Sequence, residues 1–207
     1  MENVINGIFP CPVYITKRDL NLSSKEEKEI EKLVKGGIKS NVGNFKTLNS
    51  YIFDSKLKKI KQFCEQQLKI YVKEVINPKE ELDFYITQSW LNITRPGEYH
   101  HIHSHANSII SGVFYISTEE DDKITFTDPN IKVKELIKFE QEEYNPFNST
   151  TWFFPSVTNE LLLFPSWLTH RVDVNKKATT NRISLSFNTF IKGSLGNKDA
   201  KTELFLK

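Results

Sequence analysis

The stretch HHIHSHANSIISGVFYIS, residues 100–117, contains four of the five histidines of the chain and runs into an apolar segment. The fifth histidine, His170, ends the segment ELLLFPSWLTH, whose apolar residues 161–164 are typical of a buried strand. Alternate residues of a strand face the same side, so the side chains of His103 and His105 would point to one place. A later strand could bring His170 to the same place. Neutral imidazole is a common ligand of transition metals. The pattern predicts a metal site with three protein ligands and open positions.

The spacing alone leaves two ligand pairs open. His101 and His103 have the same separation as His103 and His105. We favour His103 and His105, because the segment SIISGVFYIS that follows is typical of a continuing barrel strand. His100 and His101 are then expected to be neighbours of the site and not ligands. The other interpretation is that the histidines form an inert cluster on a surface loop.

The rest of the chain divides into a helical part and a β-rich part. Residues 23–35 are predicted to form a helix that Ser23 or Ser24 caps, and residues 55–76 a second helix that ends before Pro78. From about residue 82, turn residues separate short β-prone segments, which is typical of a sandwich or barrel. These segments are 84–93, 101–105, 109–117, 123–126, 151–154, 160–164, 171–174 and 182–192.

We therefore predict an α+β protein with an all-β core that N-terminal helices brace. The length of 207 residues suits a single domain. Its expected parts are an N-terminal arm and bracing helices (1–80), the β-core (81–193) and a C-terminal tail (194–207). The long polar stretch 129–150 interrupts the core, and we expect it to cover the substrate side as a binding loop.

Charge and cysteine content exclude several classes of protein. The chain has 28 Lys and Arg against 26 Asp and Glu, which gives no reason to expect nucleic acid or a membrane surface as a partner. Cys11 and Cys64 are too few and too far apart for a disulfide framework or a cysteine zinc site. No signal peptide or membrane span is visible, so a cytoplasmic location is expected.

A second candidate feature follows His170 by twelve residues. In RISLSFN, residues 182–188, Arg182 and Ser184 share one face of a strand and Ile183 and Leu185 the other. If the polar face lines the interior of a barrel, the guanidinium needs an anion, because an unpaired buried charge is very costly. A carboxylate ligand is one candidate, since the planar fork of Arg matches it. An ordinary Arg–Asp pair at the barrel rim is the other interpretation.

These motifs resemble those of the 2-oxoglutarate/Fe(II)-dependent oxygenases. Members carry an HxD/E…H triad and, in one large branch, an RxS motif; here His103, His105, His170, Arg182 and Ser184 match the order. The segments FPCPVY, QSWLN, HSHANSIISGVFYI, TDP, LLLFPSWLTHRV and RISLSFN are more closely similar to one family of these oxygenases that is common in marine bacteria and phages. The resemblance covers about residues 8–190. The triad carboxylate is a histidine here, which the closer family also shows.

The resemblance implies a double-stranded β-helix (jelly-roll, cupin-like) and a hydroxylase-type dioxygenase. His103, His105 and His170 would hold Fe(II), and Arg182 with Ser184 would bind the far carboxylate of 2-oxoglutarate. Tyr115 would donate its hydroxyl to the cosubstrate, with a half-buried barrel aromatic as the other interpretation, and Asn92 is a further pocket candidate. O2 and 2-oxoglutarate would be consumed and succinate and CO2 released. The prime substrate is not readable from the sequence.

Two other functions fit parts of the pattern. Gly97-x5-His103-x-His105 and Pro165-x-Trp167-x2-His170 resemble the motifs of three-histidine cupin dioxygenases or isomerases. The cupin glutamate is absent from residues 108–110, and this alternative gives Arg182 and Ser184 no role. The third alternative is a non-catalytic jelly-roll whose histidines bind zinc structurally, which would require a fourth ligand that the sequence does not offer.

Overall fold

A computed structural model describes residues 4–137 and 139–207 of the protein. Residues 1–3 of the predicted arm and Lys138 of the predicted binding loop lie outside the described residues.

The first helix shows how local sequence sets the element boundaries. Helix α1 spans Ser24–Lys35. Ser23 caps it in a capping box, in which the Ser23 side chain accepts from the backbone N–H of Glu26 and the Glu26 side chain accepts from that of Ser23. The predicted helix is confirmed.

The second helix, α2, spans Lys58–Tyr71 and continues as a π-helical turn over Val72–Ile76. A 3-10 turn, Ile52–Asp54, precedes it, and a single-turn helix α3 spans Ile131–Lys134. The apolar residues of α2 recur at helical spacing and are buried together; they are Ile60, Cys64, Leu68 and Tyr71. This apolar face packs on the large sheet described next and is part of the outer core, the buried apolar cluster between the helices and that sheet.

The β-part consists of two antiparallel sheets. In chain order the strands are β1 (Tyr14–Lys17), β2 (Ile38–Asn41), β3 (Asn44–Thr47), β4 (Asp83–Thr94), β5 (His100–His103), β6 (Ile110–Ser117), β7 (Lys123–Thr127), β8 (Thr151–Pro155), β9 (Glu160–Pro165), β10 (His170–Val172), β11 (Arg182–Leu195) and β12 (Leu204–Leu206). The large sheet has the order β1-β9-β6-β11-β4-β3-β2, with β12 added to β11. The small sheet has the order β5-β10-β7-β8. The predicted all-β core with N-terminal helices is confirmed.

The central strands of the large sheet separate two cores. On β6, Phe114 and Ile116 pack towards the helices, whereas Val113 and Tyr115 belong to the inner core between the sheets. On β11, Leu185 and Phe187 belong to the outer core. The alternate residues of β11 therefore face the space between the two sheets, because side chains of a strand alternate in direction.

Three features differ from the sequence-based prediction. The strand that carries the histidines ends at His103, and β6 then joins the other sheet, so the predicted continuation of one strand into the other is wrong. The hairpin β2–β3, which extends the large sheet, and the strand β12, which pairs with β11, were not predicted. These strands are only three or four residues long, which leaves little room for a strand pattern in the sequence. None of the helices in the described residues is long and apolar enough to cross a membrane.

The close contact between β6 and β11 gives the first testable prediction. A Cβ added at Gly112 would lie 2.1 Å from Cζ of Phe187, which is fully buried. We expect Gly112→Ala to lower the free energy of unfolding by about 1–3 kcal/mol, the usual cost of overpacking a core. Urea unfolding of Gly112→Ala, Phe187→Leu and the double variant measures this. The double variant should recover part of the loss, and strictly additive effects would contradict the assigned clash.

Candidate active site

Two strands of the small sheet bring the separated histidines together. His170 on β10 lies opposite His103 on β5, with their ring centroids 4.4 Å apart. His105 lies beyond the end of β5, where its backbone N–H donates to the carbonyl oxygen of Ser166 at 2.9 Å. Its ring is 5.0 Å from that of His103 and 5.2 Å from that of His170. One ligand nitrogen from each of the three lies within 4.8 Å of the others, which is the geometry of a metal site.

His105 reaches this point for a reason that differs from the prediction. The expectation was that His103 and His105 alternate along one strand, but only His103 is in the strand. The bond to Ser166, in the turn between β9 and β10, holds the chain at His105 against the element that carries His170. The position of His105 therefore depends on a contact between a loop and a turn from distant parts of the chain, and not on the expected alternation along one strand.

Backbone carbonyls orient two of the rings. Nδ1 of His103 is 2.8 Å from the carbonyl oxygen of His101, and Nδ1 of His170 is 3.0 Å from that of Leu168. A carbonyl oxygen only accepts, so both Nδ1 atoms carry the proton and both Nε2 atoms keep a lone pair. This is the usual arrangement of histidine ligands, whose second nitrogen is held by an outer hydrogen bond.

Burial keeps the rings neutral. Burial, assisted by the neighbouring histidines, lowers the pKa of His170 to about 3 and that of His105 to about 4. Burial also lowers the pKa of His103. Neutral imidazole is the form that binds a metal, so the site is prepared for a cation at neutral pH.

The two remaining histidines have other partners. Nδ1 of His101 donates to the carbonyl oxygen of Val42 at 3.3 Å, and Nε2 of His100 accepts from Nδ2 of Asn41 at 3.0 Å. His100, His101 and His103 also form a group with metal-ligand spacing, but this group lacks His170. The geometry therefore favours His103 and His105 as the ligand pair. Asn41 was missed by the sequence analysis, because an Asn in a polar hairpin carries no signal of a site.

Arg182 is buried in the space between the two sheets. It is 7% exposed, its Nη2 donates to Oγ of Ser156 at 3.0 Å, and its Nε has no hydrogen-bond partner in the structure. Arg18 is a useful contrast, since it is 8% exposed and forms an ion pair of 2.9 Å with Glu26. Arg182 has no such ion pair among the described residues. Ser156 was another residue that the sequence analysis missed.

Tyr115 lies directly beside Arg182. The guanidinium carbon is 5.2 Å from the centroid of the Tyr115 ring. The hydroxyl of Tyr115 is buried without a hydrogen-bond partner, and burial raises its pKa. The phenol is therefore a protonated donor that an acceptor between the sheets could use. Two donors without protein partners next to each other are unusual, because buried polar groups are nearly always paired.

The other two predicted site residues also reach this space. Asn92 on β4 is buried; its Nδ2 donates to Oγ of Ser186 at 2.9 Å, and its Oδ1 accepts from Nε1 of Trp90 at 3.2 Å. Ser184 is buried on the inner face of β11, opposite Asn92. Both residues line one cavity with Arg182 and the three histidines, and we call this cavity the chamber.

The charges of the chamber define what it can bind. Its lining residues include the guanidinium of Arg182 and several neutral imidazoles but, within the described part of the chain, no Asp or Glu. A divalent metal on three neutral ligands and a buried guanidinium together require negative charge from outside the protein. A small dicarboxylate would supply that charge, and the orphaned donors of Arg182 and Tyr115 would receive acceptors. The residues present thus fit a metal ion with a dicarboxylate cosubstrate.

Comparisons with known proteins agree with this geometry. Residues 88–188, which contain all the site residues named above except Asn41, match the family described as "Putative 2OG-Fe(II) oxygenase". A prolyl-4-hydroxylase from Pseudomonas putida has a similar structure, with a TM-score of 0.56, 12% identity and coverage of 87% of this chain and 94% of its own. HygX from Streptomyces hygroscopicus, solved with nickel, 2-oxoglutarate and hygromycin B, has a TM-score of 0.56 at 11% identity, covering 86% and 82%. No curated protein sequence matches the chain.

The fold and the family match agree with each other. The two facing sheets are the double-stranded β-helix that these structures share, as the sequence resemblance implied. The matched residues 88–188 are similar to the 2OG-Fe(II) oxygenases, a family that uses Fe(II) and 2-oxoglutarate. At these low identities the solved structures support the fold alone.

The choice of ligand pair can be tested by metal binding. Loss of an outer-shell partner of a metal ligand weakens metal binding roughly 10- to 100-fold. We expect His105→Ala to weaken Fe(II) binding by more than this, because it removes a direct ligand. His101→Ala, which removes a side chain bonded only to Val42, should leave the affinity nearly unchanged. Anaerobic titration with Fe(II) measures both. The opposite order of effects would assign the ligand pair to His101 and His103.

The depressed pKa values predict how stability depends on pH. A buried histidine with a folded-state pKa of about 3 or 4 binds fewer protons than the unfolded chain below pH 6.5. The metal-free protein should therefore lose free energy of unfolding as the pH falls from 6.5 towards 5, and should lack this dependence above 6.5. Urea unfolding in chelator measures the slope. His170→Asn should show a shallower slope than the unchanged chain, and equal slopes would contradict the neutral state of His170.

Proposed function

We propose that the protein is an Fe(II)- and 2-oxoglutarate-dependent oxygenase that hydroxylates an as yet unidentified substrate and releases succinate and CO2. The observation that carries this proposal is the buried guanidinium of Arg182, which shares an acid-free chamber with three histidines. A metal site alone would not require this cation. The cation and the metal site together require an anionic ligand, and 2-oxoglutarate is the one that the family uses.

Three histidines would hold the iron. His103, His105 and His170 present their ring nitrogens to one point, and the carbonyls of His101 and Leu168 fix two of the rings. With 2-oxoglutarate and O2, iron at this point would supply the oxidising chemistry that hydroxylates a C–H bond. The protein binds the partners, orients them and excludes water, which is its usual part in cofactor-dependent catalysis.

The opposite wall of the chamber would bind 2-oxoglutarate. Arg182 would pair with the far carboxylate, and its position is set by the bond to Ser156. Ser184 and the Tyr115 hydroxyl would donate to the same carboxylate, which satisfies a phenol that otherwise has no partner. Asn92 has both ends of its amide engaged by Trp90 and Ser186, so its role would be to shape the wall beside Ser184.

Two competing functions explain less of the structure. A three-histidine cupin enzyme would use the same ligands but leaves the buried Arg182 without an anionic partner. A structural zinc site would need a fourth ligand, and no His, Cys, Asp or Glu among the described residues completes the group of His103, His105 and His170. In the described part of the chain Arg182 has no counter-ion and the three histidines have no fourth ligand, which favours the oxygenase.

We further propose that residues 129–150 form a wall of the substrate side. Together with the N-terminal segment 6–11 they line a cavity of about 630 Å³, within the size range of small-molecule sites. Its other walls include Phe126, Leu168 and Trp152. Phe126 lies opposite His170 in the small sheet, so this cavity borders the strand that carries a proposed iron ligand.

The cosubstrate assignment predicts a specific spectroscopic result. Anaerobic addition of Fe(II) and then 2-oxoglutarate should produce a weak visible charge-transfer band that requires both. Arg182→Ala should raise the Kd of 2-oxoglutarate roughly 100-fold or more, because two charge-assisted hydrogen bonds are lost. Arg171→Ala, which removes a partly exposed guanidinium paired with Asp173, is the matched control and should change little. Iron binding without a band in the unchanged chain would exclude this function and favour the three-histidine cupin.

The substrate-side assignment predicts that the loop can be separated from the metal site. Replacing residues 131–147 by a short Gly-Ser linker should leave the Fe(II) and 2-oxoglutarate band intact, because the chamber does not include them. The neutral aromatic probe N-phenyl-1-naphthylamine should no longer bind, because the linker removes one wall of the apolar cavity. The fluorescence of the probe measures its binding. Equal probe binding by the shortened and the full chain would show that the loop does not form the site.

A further inference from the structure

His100 lies on the inner face of β5 although strand alternation would place it elsewhere. Along β10, His170 and Val172 are two residues apart, but their partners on β5, His103 and His100, are three apart. This irregularity is a β-bulge, which re-aims side chains near a functional site. As a result both His100 and His103 line the chamber, with ring centroids 4.4 Å apart. His100 thus faces the same side as His103 but lies at the other end of β5.

A hairpin from the N-terminal half holds the His100 ring. The turn of hairpin β2–β3 lies along β5, where Tyr99 and His101 donate their backbone N–H groups to the carbonyls of Gly43 and Val42. Nδ2 of Asn41 donates both to Oδ1 of Asn44 at 3.1 Å and to Nε2 of His100 at 3.0 Å. This pair of bonds uses both amide hydrogens of Asn41 and makes Nε2 of His100 an acceptor.

The bond from Asn41 decides which nitrogen of His100 carries the proton. With Nε2 accepting, the hydrogen of the neutral ring lies on Nδ1. Nδ1 of His100 has no hydrogen-bond partner among the residues that the structure describes. The chamber also contains Arg182 and, among its described lining residues, no Asp or Glu, so a bound carboxylate is an acceptor that could take this hydrogen bond there.

We propose that His100 is a cosubstrate-binding residue that donates a hydrogen bond from Nδ1 to a carboxylate oxygen of 2-oxoglutarate. Asn41 is then a positioning residue, which acts through the tautomer of His100 and does not touch the cosubstrate. This inference rests on the proposed function, in which 2-oxoglutarate extends between the three histidines and Arg182. The inference also gives a part in the site to the hairpin β2–β3. The residues of this hairpin lie outside the matched region 88–188.

The test is the Kd of 2-oxoglutarate for the Fe(II)-loaded protein without oxygen, read from the charge-transfer band. His100→Phe keeps the ring shape but removes the donor, and we expect the Kd to rise roughly 10- to 100-fold, as for a hydrogen bond to a charged group. His100→Gln, which restores an N–H, should recover most of the affinity. His101→Phe is the matched control and should bind as the unchanged chain does. The Fe(II) affinity should be the same in all four proteins.

Asn41→Leu tests the positioning role separately. It frees His100 to adopt either tautomer, so the Kd of 2-oxoglutarate should rise, but by less than in His100→Phe. In the double variant with His100→Phe, the Asn41 substitution should add nothing further, because its effect passes through the lost ring. Additive effects would overturn the positioning role of Asn41. If His100→Phe does not fold, Asn41→Leu still carries the test, since a Kd equal to that of the unchanged chain would contradict the role assigned to the His100 tautomer.

The outcomes separate the inference from the function beneath it. If the unchanged chain binds Fe(II) but shows no response to 2-oxoglutarate, the proposed function and this inference both fail. If the unchanged chain responds and His100→Phe has the same Kd, only the inference fails. If His100→Phe loses Fe(II) affinity, His100 supports the metal and the assigned contact with the cosubstrate is wrong.

Discussion

The pairing of β10 between β5 and β7 is the constraint on which the site depends. It sets His170 opposite His103 on one side and opposite Phe126 on the other. Because this register is fixed by backbone hydrogen bonds, a shift by one residue would turn His170 out of the chamber. The loop that carries His105 is bonded to the turn before β10, so the third ring depends on the same strand.

Electrostatics explains why so polar a space can exist between two packed sheets. The imidazoles lose their charge through burial, which lowers the pKa values of His103, His105 and His170. Arg182 cannot lose its charge, and the structure holds it with a single hydroxyl, Ser156. An unpaired guanidinium is a cost to the folded protein. Binding sites are the places where such a cost is expected, because the ligand removes it.

Sequence patterns predicted the elements better than their assembly. The capping box at Ser23, the helical spacing in α2 and the alternation along β11 are local, and each was found within a few residues of its observed bounds. The candidate residues His103, His105, His170, Arg182 and Ser184 do meet in one chamber. The β-bulge at His100 and the contacts from Asn41 and Ser156 could not be predicted, since they join residues that are 26 to 59 positions apart or depend on register.

The sequence alone determines which residues share one side of a strand and which residue caps a helix, because both depend only on neighbours within four residues. It also accounts for the class of chemistry, since the histidines and the RxS motif are visible as they stand. Tertiary structure decided which histidines converge, which one is bonded to Asn41, and that no Asp or Glu of the described residues pairs with Arg182. These depend on strand register and on contacts between the two sheets, which form only when segments distant in the chain pack together.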